Sequence, residues 1–316
     1  MVKELRMRAV SPAEWGGTEV LREIEVARPE PGVGEILIQV RAIGVNPTDW
    51  KSRATGGRKL WRNPPILGYD VSGIVTKVAE GSLLFHPGDE VFGMPLFPFQ
   101  AGAYAEYLAG PARHFALKPS NIDHIHAAAL PLAGLTAWQA LVDGGGVRPG
   151  QRVLVHGAAG GVGHLAIQIA KSLGAYVIGT AQRPNHEFVR GLGADEVLDY
   201  KRLDFLNRLP DVDVVIDPIG HENGLQSIGV MRRGGILVSL VPRRHEATAV
   251  AATRAGVRYC LIVVEPDRVG MTALASLAES ETIRPHVSTV LPLAQAKQAH
   301  ELGEAGGTQG KIVLVP

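Results

Sequence analysis

Cysteine is almost missing from this sequence: one residue, Cys260, in 316. No internal disulfide is available, and neither a four-cysteine zinc site nor one of two cysteines and a histidine can be assembled. Such usage suits a reducing compartment. Aromatic residues make up 5%, too few for the stacking platforms that grip single-stranded nucleic acid. Neither sign of charge predominates, with 32 Lys and Arg against 31 Asp and Glu. That balance removes the main ground for nucleic acid or an anionic membrane as partner. The opening MVKELRMRAV carries charges where a signal peptide needs an apolar stretch. Residues 153–170 contain no Asp, Glu, Lys or Arg, as a membrane span would, but glycines crowd one part and Gln168 interrupts the rest. They read as a buried strand, a turn and a helix, and the expectation is a soluble, cytoplasmic protein with no nucleic-acid or membrane partner.

What the chain does have is 46% hydrophobic residues over a length that suits two domains. The first 120 residues read as β-rich. Glu35–Arg41 alternates like a half-buried strand, Asp70–Val78, Glu90–Phe92 and 101–108 are further strands, and Pro and Gly punctuate the turns between them. From residue 121 the pattern changes. Helices are expected at Asp123–Ala129 and Leu135–Val142, followed by strand–helix alternation. Its strands are Arg152–His156, Tyr176–Thr180, Glu196–Leu198, Asp213–Asp217 and Gly235–Leu240, and its helices are Val162–Leu173, His186–Leu192 and Gly224–Met231. That alternation predicts an α/β fold with a doubly wound parallel sheet. The pattern breaks after residue 257, where a strand-like run at Tyr259–Val264, helices at Val269–Ser280 and within Leu291–Gly303, and a last strand at Lys311–Val315 are expected.

The strongest local signal is the run VLVHGAAGGVG from Val153 to Gly163, an apolar strand entering a glycine turn that opens a helix. Glycines let backbone approach a pyrophosphate, and the helix N-terminus offers free N–H groups and a positive dipole end. The spacing, Gly157-x-x-Gly160-x-x-Gly163, differs from the commoner fingerprint, but the strand before and helix after supply the required context. NAD-specific sites place a carboxylate at the end of the second strand for the ribose 2′-hydroxyl. Here that strand ends at Thr180, and Ala181-Gln182-Arg183 follow. Arg183 is either a solvated surface cation or the partner of a 2′-phosphate, and the missing carboxylate favours NADPH.

The segment Ala158–Lys171, followed by GADEVLDY at Gly193–Tyr200, resembles the medium-chain dehydrogenase/reductase superfamily, and within it the zinc-free quinone oxidoreductase, or ζ-crystallin-like, branch. Gly44–Trp50, Leu67–Gly73, Pro87–Val91, Ala129–Trp138 and Gly310–Leu314 match in the same order along almost the whole chain. The resemblance implies a GroES-like catalytic domain over residues 1–120, completed by 259–316, with a Rossmann NADPH-binding domain at 121–258 inserted between. It implies a cofactor held in the cleft between them. Residue by residue it implies Asn46 and Thr136 beside the nicotinamide, and Ala159, Gly160, Gly161, Val162 and Gly163 at the pyrophosphate. It further implies Thr180, Arg183 and Tyr200 at the 2′-phosphate, and Ser239 and Leu240 bordering the nicotinamide. Gln182 and Arg183 stand where many relatives have Ser and Lys.

The zinc-binding branch has cysteine at the position of Asn46 and a His-Glu pair at Tyr69 and Asp70, so no metal is expected. Zinc serves carbonyl reduction as a Lewis acid. Without it the easier reaction is hydride addition to a quinone or to the conjugated C=C of an α,β-unsaturated carbonyl, where hydrogen-bond donors suffice for the delocalised oxyanion. Asn46 is expected as an orienting or donor group, and Tyr69 as a catalytic residue or a packing group filling the zinc position. Asp49 and Asp70 read as caps of backbone N–H groups. Trp50, Trp61, Phe97 and Phe99 are expected to line the substrate cleft. Arg53, Arg58, Lys59 and Arg62 in one loop keep open a trans-acting enoyl reductase working on an anionic acyl carrier. A non-catalytic NADPH-binding structural or regulatory protein is the other alternative. The run Tyr259–Val264, apolar on both faces and last in the α/β series, is expected at a sheet edge, pairing two copies into a homodimer.

Overall fold

The computed structural model of the chain describes residues 5–57, 62–202, 209, 211–242 and 245–316. In chain order its elements are β1 (Arg6–Pro12), β2 (Leu21–Ala27), β3 (Glu35–Val45), α1 (Pro47–Thr55), β4 (Asp70–Val78), β5 (Glu90–Gly93), β6 (Tyr107–Pro111), β7 (Phe115–Leu117), α2 (His124–Ala128), α3 (Pro131–Trp138), β8 (Arg152–Val155), α4 (Gly161–Ser172), β9 (Tyr176–Ala181), α5 (His186–Gly191), β10 (Glu196–Asp199), β11 (Val212–Asp217), α6 (Glu222–Ile228), β12 (Met231–Ser239), α7 (Glu246–Arg254), β13 (Arg258–Leu261), α8 (Arg268–Glu279), β14 (Val287–Pro292), α9 (Ala296–Ala305) and β15 (Lys311–Val315). They divide into two units. The first reaches to Leu135 and adds Glu265–Glu281 and Pro285–Pro316; the second takes Thr136–Val264 and Thr282–Arg284. The expected boundaries after residues 120 and 258 thus stand at 135 and 264. The difference has local causes. Ala128 and Ala129 pack with Ala42 and Val313 of the first unit, while β13 pairs with β12 of the second.

The first unit is built on β3, whose β-branched residues are buried along most of its length. Its sheet runs β14-β15-β3-β4-β5-β7, with β6 also on β3. Only β14 and β15 pair parallel; the rest are antiparallel. Register decides what meets at one end. Val45 lies opposite Ile312 and Gly44 opposite Asp70, so the end of β3 and the starts of β4 and β15 converge. β1 and β2 form a separate hairpin. The strand expected at 101–108 begins only at Tyr107. Before it, the N–H groups of Ala103 and Tyr104 go to the Gly68 and Leu67 carbonyls instead of a ladder.

The second unit holds a parallel sheet, β10-β9-β8-β11-β12-β13. Val153–Val155 and Val214–Ile216 are buried, the continuous apolar pattern of strands covered on both faces. Strand order reverses between β8 and β11, the switch point where α/β sheets bind ligands beyond their strand C-termini. Three expected elements differ in extent. The helix expected through Met231 is α6, which ends at Ile228, and Met231 already starts β12. The helix expected at Leu135–Val142 starts earlier, as α3, and runs on as a π-helical stretch, Gln139–Gly144. The strand expected to reach Val264 stops at Leu261 as β13, at the sheet's edge. Among the described residues no helix is long and apolar enough to cross a membrane.

Candidate active site

In the second unit, β8 delivers the chain into a turn in which Gly157 has φ 59°, a left-handed conformation that favours glycine. The Ala158 N–H donates to the Thr180 carbonyl at 2.9 Å, tying the turn to β9. The glycines then separate by role. A Cβ on Gly163 would lie 2.2 Å from the Gly157 oxygen, so helix α4 packs on its own turn only through glycine. A Cβ on Gly160 would meet nothing closer than that oxygen at 3.3 Å. Apart from that one tight contact, nothing lies within 4 Å of a Cβ at Gly160. Gly160 caps α4, whose first helical bond is His164 N–H to the Gly160 carbonyl. The N–H groups of Gly161, Val162 and Gly163 precede it at the positive end of the helix dipole. Ala159 is buried within the turn. Pro218 and Ile219, at the end of β11, flank Gly157, and the Ile219 side chain is exposed. Ser239 is buried at the end of β12, and the Leu240 N–H donates to the Asp217 carbonyl. Thr136, also buried, lies in α3. Residues on several strand ends thus form a cradle that fits a dinucleotide.

His156, just before the turn, fixes the state of Thr180. The Ser227 hydroxyl donates to the Asn223 carbonyl at 2.6 Å, so it accepts from His156 Nε2 at 2.8 Å. His156 Nδ1 must then accept, and Thr180 Oγ1, 3.1 Å away, donates to it. Burial holds the imidazole neutral, its pKa lowered to about 4. The Thr180 hydroxyl proton is spent inside the unit, which leaves other groups for a phosphate at this strand end. The Arg183 side chain is exposed and makes no hydrogen bond or ion pair with the described residues, its carbonyl alone accepting the His186 N–H. Gln182 Nε2 donates to the Tyr200 hydroxyl at 2.6 Å, bridging the ends of β9 and β10. The acidic side chain nearest in register is Asp199, opposite Ala181, which accepts from the Lys201 N–H at 3.0 Å.

In the first unit, Asn46 leaves β3 as the cap of α1 and is buried. Its Nδ2 donates to Asp70 Oδ2 at 2.8 Å and to the Gly44 carbonyl at 3.3 Å, and its Oδ1 accepts from Lys311 Nζ. Both amide hydrogens are consumed, so the donor role expected of Asn46 is closed; its oxygen is what remains to offer. Asp70 also takes Lys311 Nζ at 3.3 Å and, on Oδ1, the Leu132 N–H at 2.7 Å. Burial pushes the Asp70 pKa up, against the pull of Lys311. A second buried chain adjoins it. Arg53 donates to His300 Nδ1, His300 Nε2 lies 3.0 Å from the Tyr104 hydroxyl, and that hydroxyl lies 3.3 Å from Asp49 Oδ2. Asp49 also accepts the Asn46 N–H, capping α1 as expected, and burial raises its pKa to about 7.

This donor set does not fit zinc. At the position of the expected first ligand an amide and a carboxylate are bridged by a buried ammonium, which a divalent cation would have to expel. The aromatic residues separate as well. Tyr69 meets Phe97 edge-to-face at 5.0 Å, and its hydroxyl donates to the Pro98 carbonyl at 3.4 Å. Phe99, in the same loop, is exposed. Trp50 instead packs against Gly303 and His300 of α9. Trp61, Arg58 and Lys59 lie outside the described residues. Arg53, expected with these cations to face an anionic acyl carrier, is instead buried in an ion pair with Glu304 at 2.7 Å. Lys311, Tyr104 and His300 escaped sequence reasoning. Only the lysine opening an apolar strand at 311–315 gave a signal.

A family profile described as alcohol dehydrogenase GroES-like domain matches residues 32–120, and one described as zinc-binding dehydrogenase matches 192–314. The chain is 35% identical to a 2-methylene-furan-3-one reductase of Solanum lycopersicum, covering 98% of this chain and 79% of that protein. It is 35% identical to an NADPH-dependent alkenal/one oxidoreductase of Arabidopsis thaliana, covering 98% and 80%. The solved quinone oxidoreductase of Coxiella burnetii superposes with a TM-score of 0.93 at 35% identity, covering 99% of this chain and all of that one.

Proposed function

The chain belongs to the medium-chain dehydrogenase/reductase superfamily, in its quinone oxidoreductase branch, and is an oxidoreductase; on that footing we propose that it uses NADPH, without zinc, to reduce a quinone or the conjugated C=C of an α,β-unsaturated carbonyl. The observation that carries the cofactor half is Arg183, exposed and unpaired at a strand end that lacks a carboxylate. Tyr200 and Gln182 follow the ends of β10 and β9, and the side-chain-free backbone at Gly160 together with the first-turn N–H groups of α4 receives the pyrophosphate. Bound there, the nicotinamide supplies hydride. The chain's own residues hold and orient it and keep water out. Zinc independence is supported by the Lys311–Asp70–Asn46 arrangement, which already places a cation where a metal would need free donors. The enoyl-reductase reading loses the support of Arg53, which is engaged with Glu304. We further infer a homodimer formed through the free edge of β13.

NADPH oxidation by chelator-treated protein against 1,4-quinones and simple enones tests the reading. Turnover undiminished by the chelator is expected. Activity confined to acyl thioesters, or lost with the metal, overturns it.

A further inference from the structure

One pair of polar side chains in the second unit is brought together by strand register alone. β9 and β10 run parallel with Asp199 opposite Ala181, and the next residues in that register, Tyr200 and Gln182, meet just beyond the strand ends. Gln182 Nε2 donates to the Tyr200 hydroxyl oxygen at 2.6 Å. A phenol oxygen that accepts from an amide keeps its own proton for a third group. Both side chains are exposed, so that third group can come from solution. Lys201 Nζ stands 5.7 Å from the centre of the Tyr200 ring, and the exposed Arg183 follows Gln182 directly. The neighbouring carboxylate, Asp199, accepts the Lys201 N–H. What this corner turns outward is a hydroxyl donor among cations, which suits the oxygens of an anion.

Position gives the anion an identity. In a doubly wound sheet the residue about 20 positions beyond the glycine turn, at the end of the second strand, reads the ribose 2′ substituent, and a carboxylate there selects the free hydroxyl. Gln182 stands at that place after Gly163, with the shape of glutamate and an uncharged amide. We propose that Gln182 is a specificity-determining residue for the cofactor: its amide replaces the discriminating carboxylate and turns the Tyr200 phenol proton outward, toward the 2′-phosphate of NADPH. The inference rests on the reading that the cofactor is NADPH. It concerns the adenosine half alone, and every group it invokes belongs to the second unit. Gln182→Glu reverses both effects. A carboxylate accepts the phenol proton, so Tyr200 turns inward, and its charge repels the phosphate.

The probes are adenosine 2′,5′-bisphosphate and adenosine 5′-monophosphate, which differ only in the 2′-phosphate, titrated by calorimetry into the full chain. Wild type should bind the bisphosphate more tightly. Gln182→Glu should weaken the bisphosphate about thirtyfold, through one charge repulsion and one lost hydrogen bond, and leave the monophosphate within about threefold. Tyr200→Phe should weaken the bisphosphate about tenfold, and Gln182→Ala about threefold, since the phenol proton is then present but unoriented. In a Tyr200→Phe background Gln182→Ala should cost nothing further, because the group it orients is gone. All these side chains are exposed, so thermal melts should match wild type. Losses shared equally by the two probes mark a merely structural role and overturn the proposal. So does an unchanged bisphosphate affinity in Gln182→Glu, or full additivity of Gln182→Ala and Tyr200→Phe. A wild type that binds both probes alike overturns the NADPH reading itself, and the proposal falls with it.

Discussion

Replacing Arg183 by alanine tests the cofactor assignment with little risk to the fold. The side chain is exposed, sits in a single turn of 3₁₀ helix at Arg183–Asn185, and makes no contact whose loss would be felt by the protein. Its removal should leave the melting temperature within about 1–2 °C of wild type, as expected for surface substitutions. A charge-assisted hydrogen bond contributes about 1.5–3 kcal/mol, hence about a ten- to hundredfold effect on binding. Exposure places Arg183 at the lower end of that range, and the Gln182–Tyr200 pair remains to hold part of the phosphate. The expected result is therefore about a tenfold rise in the NADPH KM, with kcat nearly constant and NADH kinetics unchanged. Because the contact is solvent-facing, the wild-type preference should shrink with added salt as the Debye length falls from about 10 Å at 0.1 M to about 3 Å at 1 M. Steady-state kinetics with both cofactors at two ionic strengths measures all of this. An equal rise in KM for NADPH and NADH, or none for either, would refute the reasoning.

Gly163→Ala should destabilise the protein sharply, because its Cβ would lie 2.2 Å from the Gly157 oxygen, whereas Gly160→Ala should fold and weaken NADPH at least tenfold; thermal melts and fluorescence titration separate the two. Stability should also depend on pH in a defined way. Burial lowers the pKa of His156 to about 4 and of His300 to about 3, so below about pH 6.5 the unfolded chain takes up protons that the folded one refuses, and stability falls with pH. Asp49, raised to about 7, does the reverse: in the same window the folded protein keeps a proton that the unfolded chain releases. His114, His124 and His286 are lowered too, against the raised carboxyls of Asp49 and Asp70, so stability should fall from about pH 6 to about pH 5, and less steeply in His156→Gln, as read by urea titrations. For the homodimer, Val263→Lys, at an exposed residue just beyond β13, should give monomers by light scattering; an unchanged dimer moves the interface elsewhere.

The sheet of the second unit was readable because its strands are apolar runs of fixed length bounded by glycine, and burial on both faces leaves no other use for such runs. β8, expected at Arg152–His156, and β9, expected at Tyr176–Thr180, each lie within one residue of those ends, as does α4. β1, β2 and β14 stayed hidden because they are edge or hairpin strands whose outward residues, such as Glu23 and Glu25, are charged and exposed. Half of the site was legible for the same reason as the sheet: a glycine turn declares itself locally. The Asn46–Asp70–Lys311 arrangement does not. Lys311 stands 265 residues from the amide it binds, and only the register of β15 on β3 brings them together. Arg53 misled because four cations in one loop suggest an anionic carrier, while its partner Glu304 lies in α9.

The interleaving of the two units bears on how the protein is made. All but three residues of the second unit are contiguous, Thr136–Val264, so its sheet is assembled from chain that leaves the ribosome without interruption. The first unit starts earlier yet finishes later, since β15 fills the place beside β3 and carries Lys311 to Asp70. Until then β3 has one edge unpaired over Ile43–Val45, and Asp70 has no counter-charge. Synthesis at about 5–20 residues per second leaves that edge open for many seconds after β3 emerges, the interval in which a nascent chain needs a chaperone's protection. The strands of Thr136–Val264 thus have all their partners in hand before β15 can reach β3.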